Sequence, residues 1–79
     1  MPNTEHKPLV KTGEILPNGA MVLAYKIGKI NELHYVLAVW KNNEYVTWVL
    51  NQNKDAMWGH YFPYGDILAA AKDFTERGE

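Results

Sequence analysis

The segment LHYVLAVWKNNEYVTWVL, residues 33–50, decides the fold of this chain, because it joins two apolar runs through a short polar turn. Both runs are rich in β-branched and aromatic residues, which favour strands. Asn42 and Asn43 between the runs tolerate left-handed backbone angles, so the sequence predicts a two-residue type I′ turn and a β-hairpin. In that turn Lys41 faces Glu44, and this pair sets the register of the hairpin.

The predicted register gives the hairpin two different faces. The first face is predicted to be the core, because it pairs the larger apolar residues: Val39 with Val46, Leu37 with Trp48, and Tyr35 with Leu50. The second face is expected to point outward and pairs Trp40 with Tyr45, Ala38 with Thr47, and Val36 with Val49. A slip of one residue would exchange these faces, so the whole scheme depends on the turn.

The flanking sequence supplies the other elements. Residues 20–27 alternate with a period of two and predict a strand that places Ile27 opposite Leu33. Residues 57–62 are a candidate strand in which Gly59 indicates a bulge or a close backbone approach. Apolar residues at helical spacing from residue 67 to 74 predict a helix that ends near Arg77 and packs on the first face of the sheet.

The predicted fold class is therefore α+β: a three- or four-stranded antiparallel β-meander with one C-terminal α-helix packed on one face. Residues 15–79 are expected to form this single β-β-β-(β)-α domain. Residues 1–14 are polar and interrupted by Pro and Gly, so they are predicted to be a flexible or loosely docked N-terminal arm, with a short strand at Leu9 and Val10 as an option.

Composition argues against several classes of partner. Eight Lys and Arg residues against nine Asp and Glu residues give a formal net charge of −1. A chain with this balance has no field that attracts a polyanion, so nucleic acid is not expected as a partner. No secretory signal or membrane-spanning stretch is recognised. The absence of cysteine excludes disulfides and thiolate metal sites, and a cytoplasmic location is expected.

No catalytic, cofactor-binding or metal-binding residue is predicted, and no small-molecule ligand is indicated. The chain has no serine, and its threonines lack a neighbouring base. His34 and His60 are not at metal-ligand spacing. We expect His60 to make a structural hydrogen bond at the sheet edge and His34 to lie on the exposed face beside Lys26. An enzyme would need one of these histidines to meet carboxylates in a pocket. The helix carboxylate Asp73 is instead expected to pair with Arg77, four residues later on the same helix.

The aromatic residues give the one functional indication. The chain has ten of them, 13% of its residues, and they cannot all fit beneath one helix. We therefore predict an interaction surface for a protein partner or a homodimer on the outer face of the hairpin, made by Trp40, Tyr45, Ala38, Thr47 and Val36. Two alternatives stay open: cross-strand pairs that only stabilise the sheet, and a base-stacking platform for nucleic acid assisted by nearby lysines.

Several short segments carry a family resemblance. They are LPNGA at residues 16–20, EYVTW at 44–48 and WGHYF at 58–62, followed by Ala70, Asp73, Phe74 and Arg77. In these segments the chain resembles small uncharacterised proteins encoded by bacteriophages, prophages and plasmids. The resemblance implies a bacterial accessory protein that binds a host or phage protein, and it assigns no role to any residue.

Overall fold

The computed structural model describes residues 8–78, and these residues form four strands and one α-helix. The strands are β1 (Met21–Ile27), β2 (His34–Val39), β3 (Tyr45–Leu50) and β4 (Ala56–Phe62), and the helix is α1 (Ile67–Glu76). All strand pairs are antiparallel, and the strands lie in the sheet in chain order. The prediction of an α+β meander with a C-terminal helix is confirmed, and the candidate fourth strand is part of the sheet.

The turn of the central hairpin has the predicted backbone angles but a different register. Asn42 and Asn43 have φ of +57° and +59°, and the Glu44 N–H donates to the Lys41 carbonyl at 3.0 Å. However, Trp40 and not Lys41 donates its N–H to the Glu44 carbonyl, at 2.8 Å. Trp40 and Lys41 therefore share the position opposite Glu44, which is a bulge of one extra residue.

This bulge shifts the register of β2 and β3 by one residue, so the predicted register is wrong. Val36 lies opposite Trp48, and Leu37 lies opposite Thr47. Because neighbouring residues of a strand point to opposite faces, Leu37 and Trp48 are on different sides of the sheet. A second bulge, between Val22 and Ala24, shifts the pairing of β1 with β2, so Ile27 lies opposite His34 and not opposite Leu33 as predicted. Before the bulge, Met21 pairs with Val39 and Val22 with Ala38, which is the register that the predicted pair implies.

Helix α1 packs across β2, β3 and β4 on the face that carries Thr47. Ala70 is the buried helix residue, and Lys26 lies with its Nζ 5.3 Å from the centre of the Phe74 ring. The large apolar cluster occupies the opposite face of the sheet, not the helix face as predicted. Its buried members are Val10, Leu16, Ala20, Val22, Val36, Ala38, Val46, Trp48 and Leu50.

The segment before β1 covers this second face, so the described part of the predicted arm is docked on the sheet and is not flexible. Val10 is only 4% exposed and Leu16 only 2%. The Gly13 N–H donates to the Val22 carbonyl at 2.7 Å, and the Val22 N–H donates to the Glu14 carbonyl at 2.9 Å. No strand forms at residues 9 and 10, and residues 1–7 of the predicted arm lie outside the described residues. Both faces of the sheet are therefore covered.

Candidate functional site

The five residues predicted to form an interaction surface do not form one. Val36, Ala38 and Thr47 are 0% exposed, and Trp40 and Tyr45 are half-buried. Val36 and Ala38 belong to the apolar cluster, whereas Thr47 lies on the helix face. The one-residue shift of register explains this result, because it places the supposed outer residues of β2 and β3 on two different faces, each of which is covered.

Exposed apolar side chains are concentrated instead in the segment that contains β4. Among residues 8–78, five of the eight exposed large apolar side chains lie between residues 58 and 68. They are Trp58 at 66%, Tyr61 at 53%, Tyr64 at 73%, Ile67 at 37% and Leu68 at 82%. We use the term aromatic edge for Trp58 and Tyr61 of β4 together with Tyr64 of the following turn. Residues 56–65 include no Asp, Glu, Lys or Arg, so the segment is uncharged apart from His60.

A bulge in β4 positions Trp58. Val49 pairs with Met57 and Thr47 pairs with His60, so Trp58 and Gly59 together lie opposite Trp48. The bulge predicted from Gly59 is confirmed, and so is the close approach: a Cβ on Gly59 would lie 2.7 Å from Trp48 Nε1 and 2.8 Å from Tyr61 Cε1. Trp58 itself has φ of +53°, a left-handed conformation that a bulky residue rarely adopts.

Tyr61 is anchored by two tryptophans beneath it. The rings of Trp40 and Trp48 meet edge to face with centres 5.1 Å apart, and each lies 6.3 Å from the Tyr61 ring. Trp48 is 3% exposed, and Trp40 donates its indole N–H to the Asn18 carbonyl at 3.0 Å. Aromatic pairs at these distances are each worth roughly 0.5–1.5 kcal/mol beyond the area they bury. Tyr61 is therefore a fixed and half-exposed ring at the edge of the sheet.

A polar network lies under the helix, on the face opposite the apolar cluster. The Thr47 hydroxyl donates to Asp73 Oδ2 at 2.5 Å, and His60 Nδ1 lies 3.0 Å from both Asp73 carboxylate oxygens. Arg77 Nη1 donates to the Thr47 carbonyl at 3.0 Å and to its hydroxyl at 3.1 Å, and the guanidinium lies over the Tyr35 ring at 5.5 Å. Asp73 is thus held by Thr47 and His60, and Arg77 by Thr47 and Tyr35.

The order of groups in this network differs from that of a hydrolase triad. In a triad the histidine accepts the proton of the hydroxyl nucleophile and the carboxylate orients the histidine. Here the Asp73 carboxylate lies between the hydroxyl and the imidazole, and the Thr47 side chain is fully buried. The network joins α1 to β3 and β4, and the structural hydrogen bond predicted for His60 is confirmed.

His34 is not placed beside Lys26 on an exposed face, as the sequence predicted. It is half-buried and pairs with Ile27, and its ring stacks on Tyr25 at 5.8 Å. The Tyr25 hydroxyl accepts the Leu9 N–H at 3.3 Å and is also hydrogen-bonded to His34 Nδ1. Burial raises the pKa of Tyr25, so its hydroxyl stays protonated and has one proton for the imidazole. Tyr25 therefore binds the N-terminal segment, and His34 is linked to that segment through Tyr25.

Within residues 8–78, no enclosed pocket is found, and no group of three or more His, Asp or Glu side chains converges as metal ligands. The described part of the chain has no helix with the length and apolar character needed to cross a bilayer. Comparison of the chain with known protein families, curated proteins and solved structures found no match. The resemblance to phage-encoded and plasmid-encoded proteins therefore stays a prediction.

Sequence reasoning recognised the bulge at Gly59 but missed its consequence for Trp58. A glycine inside a strand of aromatic residues indicates which backbone position is crowded, but not which neighbour absorbs the extra residue. Here the glycine is needed because Trp48 and Tyr61 close over it, and the left-handed angle falls on the preceding tryptophan. That choice depends on the packing of β3 against β4, which local sequence does not contain.

Proposed function

We propose that this chain is a small non-enzymatic protein-interaction module and that the aromatic edge is its binding surface. The observation that carries the proposal is the state of Trp58, which is 66% exposed and has φ of +53°. A glycine or an asparagine would adopt this angle at lower cost, and a polar residue would suit the exposure better. Strained backbone at an exposed aromatic residue is a feature of ligand-binding positions.

The chemistry of the aromatic edge favours a protein over a nucleic acid. Trp and Tyr are the residues most enriched at the energetic centres of protein interfaces, and charged residues are depleted there. Between Lys54 and Lys72 the sequence has no Lys or Arg, and Lys54 is paired with Glu14 at 2.7 Å. A nucleic-acid surface would need cations interleaved with the rings, so the alternative has less support.

The proposal includes a cellular setting that rests on the sequence. The resemblance to phage and plasmid proteins supports an accessory role, in which the chain binds a host or phage protein in the bacterial cytoplasm. The position of the polar network supports the non-enzymatic part, because the hydroxyl that contacts Asp73, that of Thr47, is 0% exposed. The residues of the aromatic edge, in contrast, are exposed and accessible to a partner.

Affinity capture with matched variants tests this proposal. The bait is the full chain in three forms: wild type, Trp58→Asn, and Ile30→Asn as the control. Asn tolerates a positive φ, so the first variant keeps the bulge, and Ile30 is 78% exposed but lies in the loop between β1 and β2. We expect bacterial lysate proteins that are retained by wild type and by Ile30→Asn and lost with Trp58→Asn.

Equal retention by all three baits would overturn the aromatic edge as the surface that binds a host or phage protein. Retention that is abolished by nuclease and falls steeply with salt would replace the proposal with the nucleic-acid alternative. Thermal unfolding of each bait confirms that a loss of binding is not a loss of fold.

A further inference from the structure

The outer edge of β4 has no backbone partner within the described chain. β4 is an edge strand, and none of the turn, loop and cap hydrogen bonds among residues 8–78 involves residues 56–62. The opposite edge differs, because both backbone groups of Val22 in β1 are hydrogen-bonded there. Its carbonyl accepts the Gly13 N–H, and its N–H donates to the Glu14 carbonyl. A long, uncharged and apolar open edge is a site for the addition of another strand.

We propose that a second copy of this chain occupies the β4 edge, by antiparallel pairing of the two β4 strands about a twofold axis. This inference rests on the proposed function and names the partner of the aromatic edge. Two copies meet there without opposing Asp, Glu, Lys or Arg side chains, because residues 56–65 have none of these. Since the edge of β1 is partly covered, β4 pairs with β4, and the contact closes as a dimer rather than continuing as a fibre.

The residue pattern of β4 selects the register. In a twofold antiparallel pair, one residue faces its own copy, and we place His60 there. The bulge of Trp58 and Gly59 counts as one position of the strand. Tyr61 then faces the bulge of the second copy, and Phe62 faces Met57 of the second copy. Centring on the bulge would instead set Phe62 against Asp55. With His60 at the axis, Tyr61 meets the bulge that carries Trp58 and Phe62 meets Met57, so each flanking pair is apolar or aromatic.

Sedimentation of the unmodified chain is the primary test, because it requires no variant to fold. We expect a dimer whose fraction rises with concentration over about 1–300 μM, the range of weak to moderate self-association. Trp58→Asn should weaken the dimer at least about tenfold, as expected for loss of an interface tryptophan, and Ile30→Asn should leave it unchanged. A monomer throughout this range, or a dimer insensitive to Trp58→Asn, would overturn the inference.

Single-cysteine crosslinking tests the register. The chain has no cysteine, so one introduced thiol reports one position. Facing residues of an antiparallel pair have Cα atoms about 4.5–5.5 Å apart, within the range of a disulfide. His60→Cys should therefore form a covalent dimer in a glutathione redox buffer faster than Ile30→Cys does, and equal rates would overturn the register.

The outcomes separate this inference from the proposed function. A monomeric chain that still captures another protein through Trp58 would remove the homodimer and keep the interaction module. A dimer that depends on Trp58, with no Trp58-dependent capture from lysate, would support the homodimer and leave self-association as the use of the aromatic edge.

Discussion

Replacing Trp58 by glycine and by valine tests the strain on which the proposed function depends. We expect the glycine variant to be more stable than the valine variant, the reverse of the usual order in a strand. Valine normally exceeds glycine in strands by up to about 1 kcal/mol, because its branched side chain packs on an extended backbone. At φ of +53° that advantage is absent, and only glycine is free of the steric cost.

The magnitude follows from three terms. A left-handed conformation costs an L-residue roughly 1–2 kcal/mol, which the glycine variant recovers. Glycine loses roughly 0.5–1 kcal/mol more backbone entropy on folding. Trp58 is 66% exposed, so either substitution removes about a third of a large side chain's burial energy, roughly 0.5–1 kcal/mol. The free energy of unfolding of the glycine variant should therefore be about 0.5–1 kcal/mol higher than that of the valine variant. It should lie within about 1 kcal/mol of the wild-type value.

Urea unfolding followed by circular dichroism measures these differences. Met21 supplies the control, because it is an exposed strand residue, at 42%, without a positive φ. There, Met21→Val should be more stable than Met21→Gly, in the usual order. If the Trp58→Val variant were as stable as the Trp58→Gly variant, the backbone at position 58 would not be strained. The presence of a tryptophan there would then need no functional reason.

Three further predictions concern the elements that cover the sheet. Thr47→Val keeps the shape of the buried side chain but removes the hydroxyl shared with two charged groups, so it should cost roughly 1.5–3 kcal/mol in urea unfolding, and a loss near zero would mean that the network is solvated. Val10→Ala should lower the free energy of unfolding by roughly 2 kcal/mol, because it removes two methyl groups of a side chain that is 4% exposed. An unchanged urea midpoint would show that the N-terminal segment is not docked. The hydrogen bond from Lys54 lowers the pKa of Glu14, so the ionised form stabilises the fold. The advantage of wild type over Glu14→Gln should be complete at neutral pH and should shrink as pH falls below the ordinary glutamate pKa of 4.5; a difference in Tm that persists unchanged at pH 2 would contradict it.

The elements of this fold could be predicted because their signals are local. The β-branched and aromatic residues at positions 45–50 give β3 with its observed bounds, and the helical spacing after Pro63 gives α1 to within a residue. The register could not be predicted in the same way. The left-handed Asn42 and Asn43 serve a hairpin with or without the bulge at Trp40, so the turn sequence does not distinguish two registers that differ by one residue.

The faces could not be assigned because both faces of the sheet are covered. When one face is solvated, polar residues mark it and parity identifies the core. In β2 and β3, residues of both parities are apolar: Val36 and Trp48 lie under the N-terminal segment, and Leu37 and Val49 on the helix side. The polar residue Thr47, which resembled a surface residue, is buried because Asp73 and Arg77 satisfy its hydroxyl.

Covering both faces determines where a binding surface can lie. With a helix on one side and a chain segment on the other, the strands themselves can contact a partner directly only along the edges of the sheet. The edge of β1 is partly occupied at Val22 and carries Lys26, whereas β4 is open and uncharged. The edge of β4 is also where the backbone holds Trp58 outward at a positive φ. Coverage of both faces, openness of one edge and an exposed tryptophan with a left-handed backbone together indicate the same strand.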